Sequence, residues 1–114
     1  MPHLIIDCSA NVLNMKPVNE LLHEVHDTAE ATGLFKPGDI KVRVRGFEQF
    51  TVSNTGGDFI HVFGNIMEGR TVEQRATLSR KIVSKLVSMF PDVPVISMNV
   101  FEFEKATYCN RNIL

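Results

Sequence analysis

Pro2 stands directly before the apolar run HLIIDC at positions 3 to 8. A proline there has two readings. Lacking an N–H, it is tolerated as the first residue of a strand. Its nitrogen, wherever it is free, is a secondary amine. A free α-amine titrates at about 7.7 to 8.0, and an apolar pocket or nearby cations lower that value by disfavouring the ammonium form. Such a group takes and returns protons near neutral pH, the requirement for general acid–base work. While Met1 remains attached, the same nitrogen is an amide with no basicity.

Cations are the second resource. In IKVRV, at 40 to 44, apolar and basic residues alternate, so Lys41, Arg43 and Arg45 project from one strand face. Arg70, in MEGR, falls just after an apolar run and just before a helical pattern. Each has a bland alternative: a solvated strand face, a subunit-interface face with ion pairs, or a surface arginine. His23 and His26 are three apart on a predicted helix. No acidic or cysteine third ligand recurs at a suitable spacing, so exposed helix histidines are expected there and no metal site. His3 and His61 lie in strands near the candidate residues and are read as packing or hydrogen-bonding groups. Cys8 and Cys109 form no C-x-x-C motif and are expected to be reduced.

The elements that must position these groups follow from periodicity. HLIIDC reads as a buried strand, broken by Ser9-Ala10-Asn11. Val18, Leu21, Leu22, Val25, Ala29 and Thr32 then form one stripe of an amphipathic helix that begins near Pro17 and stops at Gly33. A strand over 40–44 follows the loop LFKPGD, and the turn-rich SNTGGD closes the first half. The second half repeats the order. FIHVFGNI reads as a strand, and Thr71 with Gln74 has capping-box spacing at the head of a helix. That helix carries Val72, Ala76, Ile82, Val83, Leu86, Val87 and Phe90, and Pro91 and Pro94 stop it before the alternating run VISMNVFEFE. Phe101 and Phe103 in that run are read as core or interface residues. The tail ATYCNRNIL is too short and polar to assign.

The layout is therefore one α/β (α+β) domain over 1–114, with βαβ units at 1–52 and 58–104 and a tail at 105–114. Periodicity alone leaves open whether the strands form a ferredoxin-like plait or two βαβ units about a pseudo-twofold axis. At 114 residues, 44% hydrophobic and 22% charged, the chain can build a core without metals or disulfides. A net charge of −1 removes the general electrostatic case for nucleic-acid or membrane-surface partners. The apolar runs fall well short of the roughly 18 residues of a spanning helix, and no signal-peptide pattern is present, so a cytoplasmic protein is expected.

The segments PHLIIDCSAN, ATGLFKPGDIKVRVRGFEQF, DFIHVFGNIMEGRTVEQR and FEFEKATYCNRN, in that order, together resemble the 5-carboxymethyl-2-hydroxymuconate delta-isomerases of the tautomerase superfamily. The resemblance implies the pseudo-twofold, tautomerase-like arrangement, a homotrimer, and an amino-terminal proline exposed by loss of the initiator methionine as catalytic base. It implies a carboxylate-bearing small-molecule substrate and no cofactor. On it Pro2 is the acid/base, and Arg70 takes the place of a substrate-binding arginine, whose planar fork grips a carboxylate bidentately. Lys41 stands where the family carries another arginine. Lysine keeps the charge without the fork, so substrate geometry differs here or Arg43 takes part of the role. The implied reaction moves a proton within an unsaturated 2-hydroxy polycarboxylic acid. A tautomerase for another enol acid and a non-catalytic homotrimeric binding module on the same scaffold are the alternatives.

Overall fold

A computed structural model describes residues 1–114. Its order is β1 (His3–Ser9), a 3₁₀ turn (Ala10–Asn14), α1 (Val18–Ala31), β2 (Lys41–Phe47), β3 (Phe59–Met67), α2 (Val72–Met89) and β4 (Val95–Phe103), followed by 3₁₀ turns at Lys105–Thr107 and Arg111–Ile113. The strands form one sheet in the order β2-β1-β3-β4. β1 runs parallel to β2, β3 parallel to β4, and β1 antiparallel to β3. Two βαβ units thus meet along their first strands, which is the pseudo-twofold arrangement; a plait would interleave the strands of the two halves.

Pleating sorts the side chains. On β1, Leu4, Ile6 and Cys8 are fully buried beneath the helices, while His3, Ile5 and Asp7 point the other way. Ile60, Val62 and Ile66 of β3 join the first set. The core is completed by Leu21, Val25 and Ala29 of α1 and by Leu78, Ile82 and Leu86 of α2. Each fully buried Leu or Ile contributes roughly 1.5–3 kcal/mol by leaving water. Both helices lie on this one side of the sheet. The opposite side is uncovered and carries Ile5, Phe63 and Phe101 together with Lys41, Arg43 and Arg45.

The helix ends follow local chemistry. α1 opens after Pro17, which pre-sets φ, and closes at Thr32 with Gly33 in the left-handed region at φ 73°. α2 opens with the complete capping box: Gln74 N–H donates to Thr71 Oγ1 (3.1 Å) and Thr71 N–H to Gln74 Oε1 (2.9 Å). It closes at Phe90, whose φ of −128° is what a residue before proline adopts.

The expected helical stripes need correction. Val18, Val72 and Val87 are exposed: the first two are the first residues of their helices, and Val87 lies off the buried line of Leu78, Ile82 and Leu86. Leu78, absent from the expected stripe, is fully buried and sits one helical turn before Ile82. Phe101 is outside the core as well, on the uncovered sheet face. Strand limits also differ: β2 runs from Lys41 to Phe47, beyond the alternating IKVRV, and β4 ends at Phe103, one residue short of the expected Glu104.

Candidate active site

The strand ends meet at one side of the sheet, where a cavity of about 490 Å³ opens. Pro2 lines it from the start of β1, Leu34 and Phe35 from the loop after α1, Met67 from the end of β3, and Arg70 from the turn into α2. Tyr108, from the segment after β4, closes another side.

Pro2 is buried, and its carbonyl accepts from Lys41 N–H at 3.1 Å, so the pairing of β1 with β2 begins at the residue before β1. The Met1 amine pairs with Asp39 at 2.9 Å. That hydrogen bond to the terminus holds the Asp39 carboxyl below its ordinary range, against the opposing effect of desolvation, and Lys41 and Lys36 add to the lowering. Because Pro2 carries one peptide bond too many for chemistry while Met1 is present, any proton transfer at its nitrogen requires Met1 to be gone.

Arg70 is held tightly. Its guanidinium donates to Met67 O (3.1 Å) and Leu34 O (2.6 Å), and its centre lies 5.1 Å from the centroid of the Phe35 ring, a cation–π distance. Two of five N–H donors are committed to backbone carbonyls, which leaves the remainder of the fork for a ligand. Gly69, at φ 119°, supplies the backbone turn that aims the side chain back across the strand ends.

The other two candidate cations lie apart. Lys41 pairs in register with His3, and both belong to the uncovered sheet face, whereas Pro2 precedes Leu4 by two and so shares the helix side. The Lys41 ammonium donates to Asp39 O at 2.6 Å and lines a neighbouring hollow with His3 and Cys109. Met1, Asp39 and Tyr108 border both hollows and so form the partition between them. Arg43 donates to His3 Nδ1 at 3.2 Å. His3 must therefore be unprotonated at that nitrogen, and its pKa is lowered from 6.5 by burial first, then by Arg43, Lys41 and the amino terminus. Arg45 extends over the Phe47 ring at 5.9 Å. The structure brings Pro2 and Arg70 together and sets Lys41, Arg43 and Arg45 on the other face.

The profile of the 5-carboxymethyl-2-hydroxymuconate isomerase family matches residues 2–114. The chain belongs to that family. A 5-carboxymethyl-2-hydroxymuconate Delta-isomerase of Escherichia coli is 26% identical over 106 residues, covering 91% of this chain and 84% of its own. A crystal structure of a 5-carboxymethyl-2-hydroxymuconate isomerase from Deinococcus radiodurans superposes with a TM-score of 0.83 at 20% identity, over 96% of this chain and 88% of that one. A fused 4-OT symmetric trimer superposes at 0.82 with 15% identity, over 98% and 94% of the two chains. The fold is thus that of the tautomerases, and family membership makes the protein an isomerase.

Within this isomerase several residues near the cavity carried no signal in the sequence. Lys105 and Tyr108 come from the tail that periodicity left unassigned, and Phe35 from a loop. Tyr108 stacks on Phe103 at 5.0 Å, and Asn110 donates to both Tyr108 Oη (3.3 Å) and the Met1 sulfur (3.2 Å), so the tail is tied over the amino terminus. The one local sign was an aromatic, Tyr108, and two cations, Lys105 and Arg111, in a largely polar segment.

The histidines divide differently from expectation. His61 is removed from the cavity, in the middle of the uncovered face, where it hydrogen-bonds Ser97 at 2.7 Å and meets the Phe63 ring edge-on. His26 does have acidic neighbours: Asp27 at 2.9 Å and Glu30 at 3.8 Å form with it a small cluster on the outer side of α1. His23 is outside that cluster, which corrects the pairing considered from sequence. Both cysteines are free thiols. Burial, then Asp7 and Asp58, push Cys8 up to about 11, which leaves it un-ionised and unreactive at neutral pH.

Proposed function

We propose that the protein, freed of Met1, moves a proton within an unsaturated 2-hydroxy polycarboxylic acid of the 5-carboxymethyl-2-hydroxymuconate type, with the Pro2 nitrogen as acid and base. The observation that carries this reading is that Pro2 and Arg70 line one largely apolar cavity. A neutral amine accepts the enol proton, negative charge spreads over the conjugated system, and the ammonium returns the proton to a carbon at its far end. No atom is gained or lost. Apolar walls favour the neutral amine before reaction, and Arg70 stabilises the anion that forms.

Lys41 and Arg43 serve such a substrate only through assembly, since they lie on the uncovered face. A closed homotrimer brings that face of one copy against another and covers Ile5, Phe63 and Phe101, the last 48% exposed in the single chain. The trimeric form named for a structural neighbour supports this reading. A single domain over the whole chain, working in the cytoplasm with its two thiols reduced, fits the same reading.

The test is ultraviolet-monitored conversion of 5-carboxymethyl-2-hydroxymuconate, of 2-hydroxymuconate and of phenylenolpyruvate, with sedimentation of the same preparation. Preference for the tricarboxylic substrate in a trimeric fraction is the expected result. Preference for an aromatic enol would assign another tautomerase substrate, and no turnover of any of them would favour a binding module. A monomer at micromolar concentration would remove Lys41 and Arg43 from the site.

A further inference from the structure

We propose that Lys105 is a second anion-binding residue of the Pro2 cavity, fixed beside Arg70 by Glu68, and that it selects substrates carrying an additional carboxylate; this rests on the isomerase reading of that cavity. Lys105 lines the cavity together with Pro2 and Arg70. It belongs to the segment after β4, far from Arg70 in sequence, yet the two are tied through one short turn.

The tie consists of three hydrogen bonds and one ion pair. The Glu68 carboxylate accepts Lys105 N–H at 2.7 Å, and Glu68 N–H donates to Phe103 O at 3.0 Å. Gly69 N–H donates to Glu102 Oε2 at 3.3 Å, and Glu102 Oε1 meets Arg75 at 3.5 Å. Glu68, Gly69 and Arg70 are consecutive, so the turn that aims Arg70 is the same turn that anchors Lys105. A clasp of this kind fixes the backbones that carry the two cations and leaves the Lys105 ammonium free, since the Glu68 oxygen is taken up by a backbone N–H.

Charge accounting points the same way. Two Arg70 donors are committed to the carbonyls of Met67 and Leu34. Lys41 donates to Asp39 O on the other side of the partition. The Lys105 ammonium takes part in none of the five ion pairs of the chain. Lys36, the other lysine at the cavity, lies near the Asp39 carboxylate and contributes to lowering its pKa. Lys36 is likewise outside the ion pairs, and its carbonyl accepts Asp39 N–H at 3.1 Å, but of the two lysines only Lys105 is tied by its backbone to the turn that carries Arg70. An ammonium supplies charge and reach without demanding a planar partner, which suits the terminal carboxylate of a flexible arm better than one fixed on a conjugated frame.

The experiment compares wild type, Lys105→Gln and Lys105→Arg, each with its fold checked by circular dichroism. Calorimetric titration with tricarballylate, a saturated tricarboxylate that cannot be isomerised, should show affinity about tenfold weaker in Lys105→Gln and largely restored in Lys105→Arg. In turnover, Lys105→Gln should raise KM for 5-carboxymethyl-2-hydroxymuconate by a similar factor, with kcat kept and phenylenolpyruvate little affected. Unchanged tricarballylate affinity in Lys105→Gln, or a wild type that does not bind tricarballylate, overturns the assignment. So does an equal loss on both substrates. Lys105-dependent binding in a wild type without isomerase activity would uphold the anion site and reject the catalytic reading.

Discussion

Arg70 has two tasks in this structure, and replacing it should separate them. Its guanidinium bridges the end of β3 and the loop after α1 through Met67 O and Leu34 O, and lies over Phe35. A hydrogen bond from a charged donor is worth about 1.5–3 kcal/mol, but Arg70 is only half-buried, so water re-enters and satisfies part of what is lost. The net cost of Arg70→Ala is then about 2 kcal/mol, or a Tm about 8 °C lower for a chain of this size. Arg70→Lys, able to reach one carbonyl but not both, should lose about half as much. Substrate binding adds a second loss. A charge-assisted contact with a carboxylate or developing dienolate, at about 1.5–3 kcal/mol, corresponds to a kcat/KM reduced about 10- to 100-fold in Arg70→Ala and less in Arg70→Lys. Thermal denaturation and steady-state kinetics on the same preparations read both. A folded Arg70→Ala protein with the wild-type Tm would refute the bracing role, and one with wild-type kcat/KM would remove Arg70 from the site.

Other outcomes follow from burial and charge. Leu78→Ala should cost about 2–5 kcal/mol in denaturant unfolding, whereas Val72→Ala, at a position 72% exposed, should stay within about 0.5 kcal/mol; the reverse order would contradict the packing of α2. His3 should titrate below 6.5 by NMR, and Arg43→Ala should raise its pKa while burial keeps it below the ordinary value. Since the folded pKa is depressed, the stability linked to neutral His3 is fully present above 6.5 and is lost as pH falls through the lowered folded value. A His3 pKa unmoved by Arg43→Ala would show that the two side chains do not interact in solution.

Much of the fold was legible because its signals are local. Capping at Thr71 and Gln74, the stop at Pro91 and the change from helical to alternating periodicity each concern neighbours in sequence. Strand order was not legible in the periodicity, because alternation says which residues share a face and not which strands pair; the family resemblance supplied the pseudo-twofold arrangement that the sheet has. That gap decided the site. Alternation correctly put Lys41, Arg43 and Arg45 on one face, but only the register of Lys41 with His3 shows that this face is opposite to Pro2. Leu78 was missed because it stands alone between Thr77 and Ser79, with its apolar partners a turn away. The tail was missed for a further reason: Lys105 is held by Glu68 and Asn110 touches Met1, contacts between residues far apart in the chain that leave no periodic trace.

The most direct measurement of the proline chemistry compares two forms of the protein whose amino termini are verified by intact-mass spectrometry: one beginning at Pro2, the other extended before it. In the first, kcat/KM should rise with pH through an apparent pKa at or below the roughly 7.7 to 8.0 of an ordinary α-amine. The extended form, in which that nitrogen is an amide, should be folded and inactive. Full activity of the extended form would falsify Pro2 as the base.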